Sequence, residues 1–421
     1  MLVRILSICF VTCFSQSLQG ADISFDGNLR ERVTHLSALE FDEESDEAGT
    51  FWTQRIILGS TIKLDDNWSF RGALFSALQE GVEESPIERN NLDIYEAYVA
   101  YQDGDINVKL GRQTLKLGSQ RLIGWRDGTN VRRSWDGLRV TLEHNSMWRS
   151  DWFALQLIDV EPNGVFNDEP SSSNVLAGSY FTGDLSGLNW FEASANQIEL
   201  YYLYTNRKSR NSIEGQADQI RHTTGVRLSG ATTRWFWDWE AAYQGGSHGE
   251  SEIHAWTLAT NTGFRFQGKW KPELMMSLNI ASGDDTRQDG RLETFDALFP
   301  RGSYFSEAAQ LGPANFYNIH PYIFVYPTES LRLQFDVNMY WRLETNDGVY
   351  GPPGNIIQGP DGNLDKEVNL AFSAGAEWEL SESWNISLLA TYSKPKGILS
   401  ASDEHADSVK FVEFTVNWAF L

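Results

Sequence analysis

The chain has 421 residues, with 57 Asp and Glu against 34 Lys and Arg for a net charge of −23, and 13% aromatic residues including 16 Trp. No nucleic-acid partner is expected of so acidic a chain. Beyond residue 20 no segment approaches the roughly eighteen continuous apolar residues of a transmembrane helix, which excludes a helical span.

At the N-terminus, basic Arg4, the apolar run Ile5 to Phe14 and small and polar residues up to Gly20 read as a secretory signal, cleaved ahead of Ala21. Cys9 and Cys13, the only two cysteines, lie inside it. The mature chain then has no thiol, so disulfides, thiolate catalysis and Cys-type zinc sites fall away. Lipidation of Cys13 is the minor alternative, disfavoured because Thr12 stands where such a site prefers a smaller residue.

From Ala21 to Leu421 the sequence reads as one domain of about eighteen period-2 segments, each about ten residues long, the length a tilted strand needs to cross a bilayer. The first four lie near 22–35, 51–64, 68–79 and 92–101. Long and short connections alternate between segments. The acidic stretch Glu40 to Glu47 follows the first segment and Asp65-Asp66-Asn67 the second; a long polar loop follows the third and Gln102 to Asp105 the fourth. Further long connections are expected near 113–134, 159–174, 205–219, 244–252, 282–313, 344–365 and 394–408. Short ones are expected near 144–150, 229–233, 267–272, 327–330 and 381–383, with 183–195 a longer connection on the short side. Tight periplasmic turns and free outer loops give this rhythm in a membrane barrel. The expectation is therefore an all-β, transmembrane antiparallel barrel with both termini periplasmic, in a Gram-negative outer membrane.

Single segments carry the two-faced pattern. In 331–343, Leu331, Leu333, Phe335, Val337, Met339, Trp341 and Leu343 oppose Arg332, Gln334, Asp336, Asn338, Tyr340 and Arg342. A charge on the hydrocarbon face costs about 2–4 kcal/mol near the midplane, so the charged face points into the barrel. The last segment, Lys410 to Leu421, alternates to its aromatic end and supplies the strand that closes the sheet on the first.

Face assignment by alternation turns Arg30, Arg32, Arg55, Arg71, Arg139, Arg227, Arg265, Arg332 and Arg342 inward, with Asp26, Glu96, Glu199, Asp238, Glu240, Asp336, Glu377 and Glu379 among them. Between Gly111 and Val140 the sequence adds Arg112, Arg121, Arg126, Arg132 and Arg133 beside Asp136. A basic focus of this kind in an acidic protein points to an arginine-lined passage selecting anions, or to ion pairs that stiffen a large barrel; both can hold at once. The loops 113–134 and 282–313 are expected to fold toward the lumen. The acidic outer loops read as a solvated surface. Asp284, Asp285 and Asp289 have spacing suited to Ca²⁺ but lack the closing bidentate Glu of an EF-hand, so a plain turn is the favoured reading. Histidines at 35, 144, 222, 248, 254, 320 and 405, with Ser247 and Ser251 nearby, supply an inventory for hydrolysis. No nucleophile elbow or HExxH accompanies them, and neither an enzyme nor a cofactor is expected.

The run Gly111-Arg112-Gln113 through Gly118-Ser119-Gln120-Arg121-Leu122, and then Asn130 to Gly137 (NVRRSWDG), resembles the hallmark segment of the alginate export family of outer-membrane barrels. Ala281 to Asp284, Thr294 to Gly302 (TFDALFPRG), Leu311 to Asn315 and Asp347 to Asn355 add to the resemblance, which spans nearly the whole mature chain. It implies an eighteen-stranded barrel with a charged, arginine-rich constriction passing a uronate polymer or other anionic solute. It also implies pathway roles for Arg112, Arg121, Arg132, Arg133 and Asp136, to which face assignment adds Arg126 and Arg139. The expected partners are the lipid bilayer, lipopolysaccharide and an anionic saccharide, with room left for a periplasmic partner. The alternative is a non-transport structural or adhesive barrel, or a lipid hydrolase.

Overall fold

Strands with hydrocarbon on one face and a wet lumen on the other alternate in polarity, and in the computed structural model that alternation becomes one closed sheet. The structure describes residues 22–188, 195–302, 308–352, 354–402 and 404–420. The expected signal and its cut before Ala21 lie outside the described residues, as does Leu421.

The first strands are β1 (Asp22–Leu36), β2 (Gly49–Lys63), β3 (Trp68–Glu80), β4 (Asn90–Asp103), β5 (Ile106–Gln113), β6 (Trp135–Glu143) and β7 (Trp148–Asp159). There follow β8 (Glu169–Asp184), β9 (Ala195–Ser212), β10 (Gly215–Ala231), β11 (Trp235–His248), β12 (Ser251–Arg265) and β13 (Glu273–Ala281). After the two-residue β14 (Arg291–Leu292) come β15 (Phe316–Val325), β16 (Leu331–Arg342), the short β17 (Val349–Tyr350) and β18 (Ile356–Gln358), β19 (Glu367–Glu379), β20 (Trp384–Pro395) and β21 (Val409–Phe420). Leaving out β14, β17 and β18, eighteen strands pair antiparallel in chain order. β21 returns to β1, from Gly27 opposite Phe420 to Leu36 opposite Phe411. Closure leaves no row of unpaired backbone groups facing lipid.

The outer face is apolar: Trp235 is 52% exposed, Tyr243 50% and Phe335 51%, whereas inward Asp336 and Arg342 are buried. Short connections at 64–67, 104–105, 144–147, 232–234, 266–272, 326–330 and 380–383 lie at one end, as the sequence rhythm predicts. Two expected long loops are corrected. The segments 205–219 and 244–252 are not loops but the tops of tall hairpins, turning at 213–214 and 249–250. β9 and β10 run 18 and 17 residues. Above the hydrocarbon both faces of a strand meet water, so polar residues such as Lys208, Asn211 and Asp218 break the apolar alternation without ending the ladder.

Part of the interior is itself an apolar core. Leu115, Leu117, Leu122 and Ile123 from the 114–134 loop, and Phe295, Leu298 and Phe299 from the 282–315 loop, pack on the wall residues Phe153, Leu155, Leu176, Tyr180 and Leu203. Both loops expected to turn inward do so. Burying their leucines and phenylalanines against an apolar part of the wall, at roughly 25 cal/mol per Å², holds them in a space that water would otherwise fill.

Candidate functional site in the barrel lumen

The inward loop leaves the sheet where Gly111 faces Gly137 across β5 and β6. Both have positive φ, 128° and 151°, and a Cβ on either would stand 2.3 Å from Ala97 O or 2.2 Å from Ala154 O. Only glycine fits this bend, which re-aims Arg112. Arg112 Nε then donates to Asp136 Oδ1 at 3.1 Å, and its Nη1 lies 3.5 Å from Asp93 Oδ1.

The loop tip sits on three wall arginines. Arg30 donates to Asp127 O and Thr129 O, each at 2.7 Å, and Arg32 to Gly128 O at 2.6 Å. Arg55 Nη2 and Arg132 Nε both reach Asp127 Oδ1, at 2.9 and 2.6 Å. Burial alone would raise the Asp127 carboxyl, but Arg55 and Arg132 outweigh it and hold the group well below the usual carboxylate range. Asn130 Nδ2 donates to Gln54 O, Leu78 O and Glu88 O, fixing the tip to β2, β3 and the next loop. Arg126, with positive φ of 58°, donates to Val131 O; burial lowers its guanidinium to about 10, still charged at neutral pH.

Arg133 joins the two inward loops. Its Nη1 donates to Gly124 O at 2.8 Å and to Phe299 O at 2.7 Å, with its guanidinium over the Phe299 ring. Backbone bonds Gly124 N to Phe299 O and Phe299 N to Leu122 O make a short parallel bridge, and Trp135 meets Phe299 edge-on at 4.8 Å. The partner loop is fastened in turn by Asp296, which pairs with Arg207 and lies 3.6 Å from Arg210.

The other expected arginines lie on the wall or the loop flank, each with partners. Arg121 Nη1 bonds Asp238 and Glu240, both at 2.9 Å, and Arg139 reaches Asp151 at 2.6 Å. Arg71 spans Asp26 and Glu96, and Arg332 reaches Glu377 at 2.5 Å. Arg342 is fully buried and caps the carbonyls of Thr345, Asp347, Asn363 and Asp365. The expected residues thus divide into a group that holds the first inward loop (Arg30, Arg32, Arg55, Arg126, Arg132, Arg133), ion pairs of the wall and loop flank, and Arg342, which holds carbonyls of the 343–365 loop. Asp127, Asp93, Asp151 and Glu88 are the partners that sequence reasoning passed over. Asp127 reads as an ordinary turn residue in Arg126-Asp127-Gly128-Thr129, and Asp93 is turned inward by register shifts between β3 and β4.

Asp284, Asp285 and Asp289 do not converge: among the described residues no group of three or more His, Cys, Asp or Glu is placed to hold a metal ion. Asp284 is instead buried beside Asp347, to whose Oδ2 its N–H donates at 2.8 Å. Burial, and then Asp347, push the Asp284 carboxyl up to about 7. Of the histidines, His248 lies 2.9 Å from Ser212 rather than on Ser247 or Ser251, and His320 is held by Asp336 and Tyr322 in the wall.

Solved structures similar to this one include three from Pseudomonas aeruginosa, at low identity, which shows the fold alone. OpdK with vanillate has a TM-score of 0.64 at 9% identity, covering 95% of this chain and 98% of that one. OccK2 (OpdF) in complex with glucuronate gives 0.60 at 10%, covering 95% and 96%. OccD3 (OpdP) gives 0.63 at 13%, covering 94% and 91%. No curated protein matches by sequence. The family model for alginate export matches residues 17–403. With that match across nearly the whole chain and a closed eighteen-stranded barrel around two inward loops, the chain belongs to the alginate export family of outer-membrane barrels.

Proposed function

We propose that the barrel is a channel, rather than an enzyme or an adhesive barrel, and that it passes an anionic oligo- or polysaccharide of uronate type through an arginine-rich passage. The observation that carries the reading is the charge around the loop tip. There Arg30, Arg32, Arg55, Arg126 and Arg132, with Arg133 beside Arg126, meet among the described residues the carboxylates of Asp127, Glu88 and Glu413. Burial moreover pushes Glu88 up, though Arg32 and Arg30 oppose it. A local positive excess in a narrow, low-dielectric space acts on a permeating ion at close range. Arginine also suits carboxylates because its planar fork can donate two parallel hydrogen bonds. Family membership supports a saccharide cargo, and the neighbour solved with glucuronate supports a carboxylated one.

Single-channel recording with oligouronate tests this reading. Oligouronate should interrupt the current at concentrations where a neutral oligosaccharide of equal length does not. Equal interruption by both, or by neither, would contradict it.

A further inference from the structure

Trp125 lies two residues before Asp127 on the inward loop, and two cations lie over its indole. Lys116 Nζ is 4.4 Å and the Arg132 guanidinium carbon 4.5 Å from the ring centroid. Leu115 and Leu117 are buried in the loop core, so Lys116 between them turns the other way and is exposed. Among the described residues Lys116 enters no ion pair. Arg132, by contrast, is tied to Asp127.

Asp127 accepts both of its guanidinium bonds on Oδ1. Its Oδ2 accepts none among the described residues, and 48% of the side chain is exposed. A loop brace would hide these groups; here an indole under two cations, an ammonium with no carboxylate partner among the described residues and an open carboxylate oxygen stand together on the inward loop. Their chemistry matches a sugar acid. A pyranose ring offers a patch of C–H groups to an aromatic face and hydroxyls at its rim to a carboxylate oxygen. A carboxylate on the ring would draw Lys116 away from the indole, since an exposed cation–π contact is weak and the ammonium is already in water. Pockets that orient a ligand combine apolar surface with a few placed polar groups in this way.

We propose that Trp125, Lys116 and Asp127 form a saccharide subsite in the lumen that selects a hexuronate. The ring lies on the indole, its carboxylate pairs with Lys116 and a ring hydroxyl donates to Asp127 Oδ2. Arg132 positions Asp127 from behind. The inference rests on reading the barrel as a conduit for anionic saccharides and assigns that conduit a binding step.

The test compares current block by glucuronate, glucose and acetate on the full chain in planar bilayers, for the parent and for Trp125→Leu, Trp125→Tyr and Lys116→Gln. The parent should be blocked at lower concentration by glucuronate than by glucose or acetate. Trp125→Leu should raise the blocking concentration of glucuronate about fivefold, toward that of acetate, while Trp125→Tyr keeps most of the block. Lys116→Gln should bring glucuronate to the level of glucose. If Trp125→Leu fails to insert, Lys116→Gln, a change at an exposed side chain, decides alone. Block of both variants at the parent's concentration overturns the subsite and leaves the conduit standing. A parent on which glucuronate acts no more strongly than glucose overturns both.

Discussion

Asp127 sets how much of the arginine charge the loop tip shows to the lumen, because its one carboxylate oxygen occupies Arg55 and Arg132 together. Asp127→Asn should free that charge and shift the reversal potential further toward anions. It should also loosen the tip by about 1–2 kcal/mol, a modest figure because the side chain is half exposed and the backbone bonds from Arg30 and Arg32 remain. Asp284 gives a second test, in pH. Its folded value near 7 lies above the unfolded value of about 3.9, so the folded loop holds the extra proton between them. Docking of the 282–315 loop on the 343–351 segment is therefore tightest below about pH 4, weakens as pH rises toward 7 and changes no further above it. Protease nicking of that loop, corrected for enzyme activity with a free peptide, should be several-fold slower at pH 5.5 than at pH 8. In Asp284→Asn the difference should shrink, leaving the part contributed by Asp347 and Glu293, both also raised by burial.

The strands were legible because hydrocarbon enforces alternation; Phe335 and Asp336, adjacent in sequence, end on opposite faces with 51% and 7% exposure. Where water bathes both faces the signal stops, which is why the hairpin tops at 205–219 and 244–252 read as loops. The arginines were legible as a group because they contradict the chain's overall charge. Which carboxylate each one meets was not, since contacts such as Ile123 with Phe299, or Arg121 with Asp238, join residues far apart in sequence and leave no local pattern. At this scale the two loops behave as one body. Phe299→Ala removes the ring that touches Trp135 and lies under Arg133 and Arg207, at a cost of about 3–5 kcal/mol to the joint between the loops. Conductance should rise and become noisier while heat-modifiable migration on gels, the mark of an intact barrel, persists. Unchanged conductance with an intact barrel would show that the joint does not border the path.

Over the whole molecule the charge is −23, and acidic loop residues such as Glu43, Glu44 and Asp46 are concentrated away from the barrel wall. Screening limits such exposed charges to about 8–10 Å at physiological salt, whereas the arginines at the loop tip lie within the lumen. Replacing Glu43, Glu44 and Asp46 by Ser should therefore speed entry of an anionic saccharide at low ionic strength and leave the sign of the selectivity unchanged. The sign itself is the most direct test of the account. In a planar bilayer under a tenfold potassium chloride gradient, the parent barrel should reverse at a potential that marks chloride as the preferred ion. A cation-preferring reversal potential, or a folded barrel that carries no current, would contradict an anion-selecting passage built on these arginines.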